Sequence, residues 1–169
     1  MWDQTFMQLY ERCQALHASG DKNFNGYYSA EDQAFLDAIG CKYREFYDFV
    51  EDFNDYHEPA PSTALLIAAV RRDYFLTIQK GVVSGHLTGV EDLPTFGDVL
   101  EGIDYLPRIL AKARAKLRGE LDPEIMFGCG GDRNFLRKHG DIHPADFLRH
   151  VWAAGDEDQK IASLVKFRS

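Results

Sequence analysis

A chain of 169 residues, 45% hydrophobic and 27% charged, is long enough to bury a core without cross-links and is too evenly mixed to be disordered or membrane-embedded. Its net charge of −8 repels phosphate backbones at long range, so the composition argues against nucleic acid as a partner. Its longest apolar run, residues 64–70, ends in two arginines and falls far short of the roughly 18 residues that a membrane span needs.

Trp2, Phe6, Leu9, Tyr10, Cys13, Leu16 and His17 recur at spacings of three and four, which predicts a first helix with one face turned to a core. The polar residues 19–28 end it. Ser29 with Asp32 three residues later supplies a cap for a second helix carrying Phe35, Leu36 and Ile39, and Gly40 stops it. A third helix is predicted over about 43–56, with Phe46, Phe49, Val50 and Phe53 on one side and the acids Asp48, Glu51, Asp52 and Asp55 on a solvated side; Pro59 and Pro61 end it. The fourth, about 63–80 with Gly81 as stop, is apolar nearly all round in Leu65-Leu66-Ile67-Ala68-Ala69-Val70, the pattern of an enclosed central helix.

Residues 82–104 are glycine-rich and lack a period, so they read as a loop or lid, with Thr95 and Asp98 capping one short helical turn through Phe96, Val99 and Leu100. A fifth helix opens near Leu106 with Pro107 in its first turn, buries Ile109, Leu110, Ala113 and Leu117, and stops at Gly119. Shorter helices follow over about 132–139, 144–153 and 157–165, the last opened by Asp156-x-x-Gln159. The expectation is an all-α fold: one domain over 1–169, a bundle of about six to eight helices around the central helix at 63–80. Residues 1–81 form its N-terminal helices and 105–169 its C-terminal ones.

The three cysteines, Cys13, Cys41 and Cys129, include no close-set pair, which argues against a disulfide framework or a zinc knuckle and for a reducing compartment. Met1-Trp2-Asp3-Gln4 leads straight into the first amphipathic pattern without the features of a signal peptide, so a cytoplasmic location is expected.

Five segments together resemble a known family: Arg71-Arg72-Asp73-Tyr74-Phe75; Leu106-Pro107-Arg108; Lys112-Ala113-Arg114; Phe127-Gly128-Cys129-Gly130-Gly131-Asp132-Arg133; and Ile142-His143-Pro144-Ala145-Asp146-Phe147. The resemblance is to the bacterial family of domains of unknown function numbered 5069. It is strongest over 104–165, and residues 28–81 are similar to an N-terminal extension of a longer branch. Where the commoner family pattern places Pro-Leu after the cysteine, this chain has Gly130-Gly131. The resemblance implies an all-helical fold and a bacterial origin, and it transfers no activity and no catalytic residue.

On a helical wheel Arg72 falls within the apolar stripe of the fourth helix, between Ala68, Ala69, Phe75 and Leu76, so at least partial burial of its guanidinium is expected. Such a charge needs an internal acid or a bound anion gripped by Arg72 or Arg71. Arg108, Lys112 and Lys116, four apart beside Ala111 and Ala115, form a basic stripe opposite the apolar face, either solvated or open to a ligand. Cys129 lies in a glycine-rich turn before a helix start with Arg133 near, the setting of a reactive thiol as well as of a small buried one; His139, His143 or His150 would supply a base. Asp132 caps the amides that an anion in that turn would need.

Residues 21–32 resemble an EF-hand loop, with calcium ligands at Asp21, Asn23, Asn25, the Tyr27 carbonyl and Ser29, and Gly26 at the turn. Asp32 replaces the usual bidentate glutamate at the twelfth position, and the alternative is an Asn-Gly turn with Ser29 capping a helix. No H-E-x-x-H or E-x-x-H motif is present. The leading functional expectation is a small-molecule-binding protein or enzyme whose anionic ligand, a carboxylate or phosphate, is held by Arg71, Arg72, Tyr74, Arg108, Lys112 and Arg133, with Cys129 and His143 as catalytic candidates. The alternatives are a regulatory or scaffold module for a protein partner and a weak calcium-binding domain. No other cofactor is indicated.

Overall fold

Eight helices carry the chain in the computed structural model, which describes residues 1–169 and has an all-α fold with one two-stranded hairpin. They fall into two compact units, Met1–Val83 and Ser84–Ser169. No helix is long and apolar enough to cross a membrane.

The first unit holds α1 (Trp2–Ala18), α2 (Ala30–Ala38), α3 (Tyr43–Tyr56) and α4 (Pro61–Thr77). α1 and α3 lie together because their apolar faces are aromatic and interlock. Phe6 meets Phe46 edge-to-face with ring centroids 4.9 Å apart, and the Tyr10 hydroxyl donates to the Phe49 carbonyl at 2.8 Å. α2 begins on the expected reciprocal cap: Ser29 Oγ accepts the Asp32 N–H at 3.2 Å, and the Asp32 carboxylate accepts the Ser29 N–H at 2.8 Å. It ends at Gly40, whose φ of +65° needs glycine, and a Cβ there would stand 2.7 Å from the Phe75 ring.

The solvated acidic side expected of α3 needs correction at Asp48, which is buried and accepts from Arg44 Nε at 2.7 Å. Desolvation outweighs this ion pair and pushes the Asp48 carboxyl up from 3.8 to about 6. The folded state therefore holds the Asp48 proton more tightly than the unfolded state. This contribution to stability is present below pH 3.8 and is lost as pH rises to about 6. Asp48→Asn is expected to remove a fall of about 2–3 kcal/mol over that window. Urea unfolding of both proteins at pH 3.5 and pH 7 checks this, and an equal pH dependence in the two would refute it.

α4 packs against α1 and α3 through Ala64, Ile67, Ala68, Val70, Arg71 and Phe75, whereas Leu66 and Leu76 are about 40% exposed. The expectation of an enclosed helix is thereby corrected to one with a single buried arc. The helix also stops at Thr77, three residues short of the expected end, where left-handed Lys80 and Gly81 turn the chain and the Gly81 N–H donates to the Phe75 carbonyl.

In the second unit, α5 (Leu106–Arg118) packs on α7 (Pro144–Ala154), which packs on α8 (Asp158–Arg168); α6 (Gly130–Lys138) completes it. Leu106, Ile109, Leu110, Phe127, Phe147, Leu148, Val151 and Ile161 form its core. Of the short helical turn expected at 95–100, the Thr95 contact with Asp98 forms, its N–H donating to Oδ2 at 2.7 Å, but Val99 and Leu100 enter a hairpin. β1 (Val99–Leu100) pairs antiparallel with β2 (Ile103–Asp104) across Glu101 and Gly102, both at positive φ, the backbone of a tight two-residue hairpin turn. Part of the predicted loop or lid is also tied down: Thr88 bonds Glu120 and Asp122 through its N–H and carbonyl, and Ser84 Oγ donates to Glu120 at 2.7 Å.

Candidate functional site

Tyr105 immediately precedes α5 in a left-handed conformation and Lys112 lies within that helix, while Cys129 and Asp132 sit three apart where α6 begins. Their side chains meet at Asp132, which is fully buried. Its Oδ2 accepts from Lys112 Nζ at 2.6 Å and from the Gly128 N–H at 2.8 Å, and its Oδ1 accepts from the Tyr105 hydroxyl at 2.8 Å. The same Lys112 Nζ donates to Cys129 Sγ at 3.3 Å. A buried ammonium is tolerated here because a full carboxylate charge and the sulfur replace its water. Burial, with Asp132 beside it, pushes the Tyr105 phenol upward, so Tyr105 remains a protonated donor.

This arrangement corrects the reading of Lys112 and Lys116 as a stripe opposite the buried face: both lysines are buried. The turn before α6 is held by Arg133, whose Nη1 donates to the Gly128 carbonyl at 2.8 Å. Cys129 is the residue on which α6 starts, without a side-chain cap, and its sulfur is half-buried. The amides of the first helical turn lie at the positive end of the helix dipole. Gly131 lets the Tyr105 hydroxyl approach the start of α6, since a Cβ there would lie 3.3 Å from that hydroxyl and 3.9 Å from Cys129 Sγ. The expected capping by Asp132 takes the Gly128 N–H.

No family model, curated protein or solved structure matches the chain. The chemistry of the site is therefore read from its own atoms. A thiol, a buried ammonium and the amides of a helix start are suited to a nucleophilic sulfur and to an anionic group held close to it.

The other anticipated residues are placed as follows. The buried arginine of α4 is Arg71 and not Arg72. Arg71 is 3% exposed, donates to Gln79 Oε1 at 2.7 Å and lies over the Phe75 ring, whereas the partly exposed Arg72 lies over Trp2 and 3.8 Å from Asp73. Tyr74 is half-buried on the same helix. In the second unit, Arg108 donates to the Pro94 carbonyl at 2.7 Å and stacks over Phe96. His143 caps α7, its Nδ1 accepting the Ala145 N–H at 3.2 Å, while Lys112 is the polar group against the sulfur. His139 bonds Ser169 Oγ, and His150 lines a shallow cleft of about 280 Å³ with Ala153, Ala154, Lys160, Ile161 and Leu164.

In the 21–32 loop, the Asp21 carboxylate accepts the Asn23 N–H at 2.9 Å and the Tyr27 hydroxyl donates to the Asp21 carbonyl. Residues Phe24–Gly26, which include Asn25, form a single 3-10 turn. Asp32 pairs with Arg12, whose guanidinium holds that carboxyl below its usual range. Sequence reasoning missed two members of the Cys129 cluster, Tyr105 and Asp132 as partners of Lys112. No helical period signalled the Tyr105 contact, because Tyr105 precedes α5 in a left-handed conformation.

Proposed function

We propose that the protein acts on a small, electrophilic, anionic molecule through the sulfur of Cys129 in the second unit. The observation that carries this reading is Lys112 Nζ, buried, 2.6 Å from Asp132 and 3.3 Å from the half-buried sulfur. A Lys112 side chain fixed by a carboxylate cannot swing away, so an N–H donor is held against the sulfur. In attack on a substrate carbon, the S–H proton passes to solvent and a sulfur lone pair forms the new C–S bond. The displaced electron pair leaves with the leaving group or moves onto a carbonyl oxygen. The first-turn amides of α6 favour that negative charge and a substrate carboxylate alike, with Arg133 at the edge of the turn. Arg108, on α5, belongs to the same unit and favours the same sign of charge. Kinship with the family numbered 5069 is likewise proposed from the motifs within 104–165 and adds no activity.

Two alkylating agents of similar size and opposite charge character test the reading. Iodoacetate is anionic and iodoacetamide is neutral, and mass spectrometry reports modification at Cys129 separately from the buried Cys13 and Cys41. We expect the ratio of iodoacetate to iodoacetamide rates at Cys129 to exceed that of a free thiol by about tenfold, and Arg133→Gln to lower it. A ratio equal to that of glutathione, or a Cys129 no more reactive than Cys13, rejects the proposal.

A further inference from the structure

We propose that His17, Glu51 and Asp55 of the first unit form a binding site for a divalent first-row transition-metal ion of the zinc type. One ligand atom from each of these three residues lies within 4.8 Å of the others. The geometry follows from the α1–α3 pairing. His17 is in the last turn of α1, while Glu51 and Asp55 are one turn apart on α3 and share a face. One imidazole and two carboxylates make a three-ligand set that leaves a position for water, and the mixed nitrogen and oxygen donors suit zinc better than calcium or magnesium.

Carboxylates alone are common on a helix surface; the imidazole separates this cluster from such a surface. The His17 side chain is 2% exposed, and both of its ring nitrogens face nitrogen donors. Asn54 Nδ2 lies 3.0 Å from Nδ1, and Lys22 Nζ lies 2.6 Å from Nε2. The Asn54 amide is oriented by a second bond, Nδ2 donating to the Gln14 carbonyl at 3.0 Å, so its NH2 faces the ring. A neutral imidazole has one acceptor and one N–H. With Nδ1 accepting from Asn54, Nε2 carries the hydrogen and meets the Lys22 ammonium donor to donor.

A metal ion at Nε2 resolves this mismatch. Its binding displaces the ring proton from Nε2 to Nδ1, and the Asn54 amide releases the Gln14 carbonyl and turns its oxygen to accept that proton, which is how outer partners usually hold a ligating histidine. Lys22 is exposed along its chain and can leave to solvent. Glu51 is oriented as well: the Tyr47 hydroxyl, one turn earlier on α3, donates to its Oε1 at 3.0 Å.

The test is a zinc titration of chelator-stripped full-length protein against a chromophoric zinc indicator, for wild type, Asp55→Asn, Glu51→Gln and Lys22→Met. We expect one zinc per chain at this site, binding weakened about tenfold or more by Asp55→Asn and Glu51→Gln, and binding tightened about tenfold by Lys22→Met, where the competing ammonium is gone. Asp55 is exposed, so its substitution leaves the fold intact, which circular dichroism verifies. Zinc binding unchanged by Asp55→Asn, or absent from both wild type and Lys22→Met, overturns the proposal.

Discussion

Asp132→Ala is expected to cost about 3–5 kcal/mol of folding stability, because it strips the countercharge from a lysine that has no access to water. Lys112 is 4% exposed, and the same carboxylate also satisfies the Tyr105 hydroxyl and the Gly128 N–H. Three donors lose their acceptor together, and only the phenol is free to turn elsewhere. Urea unfolding measures the loss. Because the pair is buried and weakly screened, the deficit should be nearly the same at low salt and at 1 M salt. Lys112→Met should cost less, since Asp132 keeps two donors. The double variant Lys112→Met with Asp132→Ala should cost clearly less than the sum of the two single changes. Additive costs would show that the pair is not coupled.

Phe46→Ala is expected to destabilise the first unit by about 3–5 kcal/mol, through lost burial and the cavity left behind. The ring is 1% exposed and meets Phe6 at 4.9 Å, Tyr10 at 5.9 Å and Tyr28 at 6.1 Å between centroids, all close to edge-to-face. Its removal therefore loosens α3 from α1 and from the loop before α2. A lowered melting temperature and a weakened near-ultraviolet circular dichroism signal, with helix content retained below the transition, check this. Phe46→Leu, which keeps most of the volume, should cost about 1.5 kcal/mol or less. Equal effects of the two substitutions would contradict the packing account.

Much of the architecture is legible residue by residue. Helices α1, α3 and α5 fall where the three-and-four spacing of Phe6, Phe46, Ile109 and their neighbours places them, because an amphipathic period is a local property of the chain. The Ser29 and Asp32 cap and the Gly119 stop are local for the same reason. The hairpin at 99–104 was not legible. Two-residue strands are too short to show alternation, and Glu101 in the left-handed region is not the asparagine or aspartate that usually announces such a turn.

The site was legible only in part. Cys129 and Lys112 stood out as residue types in suggestive settings, but their contact joins residues 17 apart, and the Lys112–Asp132 pair joins residues 20 apart. Arg71 and Arg72 show the same limit on a smaller scale. A helix that is apolar nearly all round does not specify which arc is buried, and two adjacent residues lie about 100° apart on it. Packing of α4 on α1 and α3 settled the matter by placing Arg71 inward and leaving Arg72 over Trp2.

By itself, then, the sequence determined the all-α class, the helix positions and most of their caps, since each depends on residues within a few turns of one another. Only the tertiary structure decided the division into two units, the buried state of Lys112 and Asp48, and the gathering of His17 with Glu51 and Asp55. The physical reason is that a charge takes its burial from its partner. For Lys112 that partner comes from another helix, at a distance along the chain that no periodicity encodes.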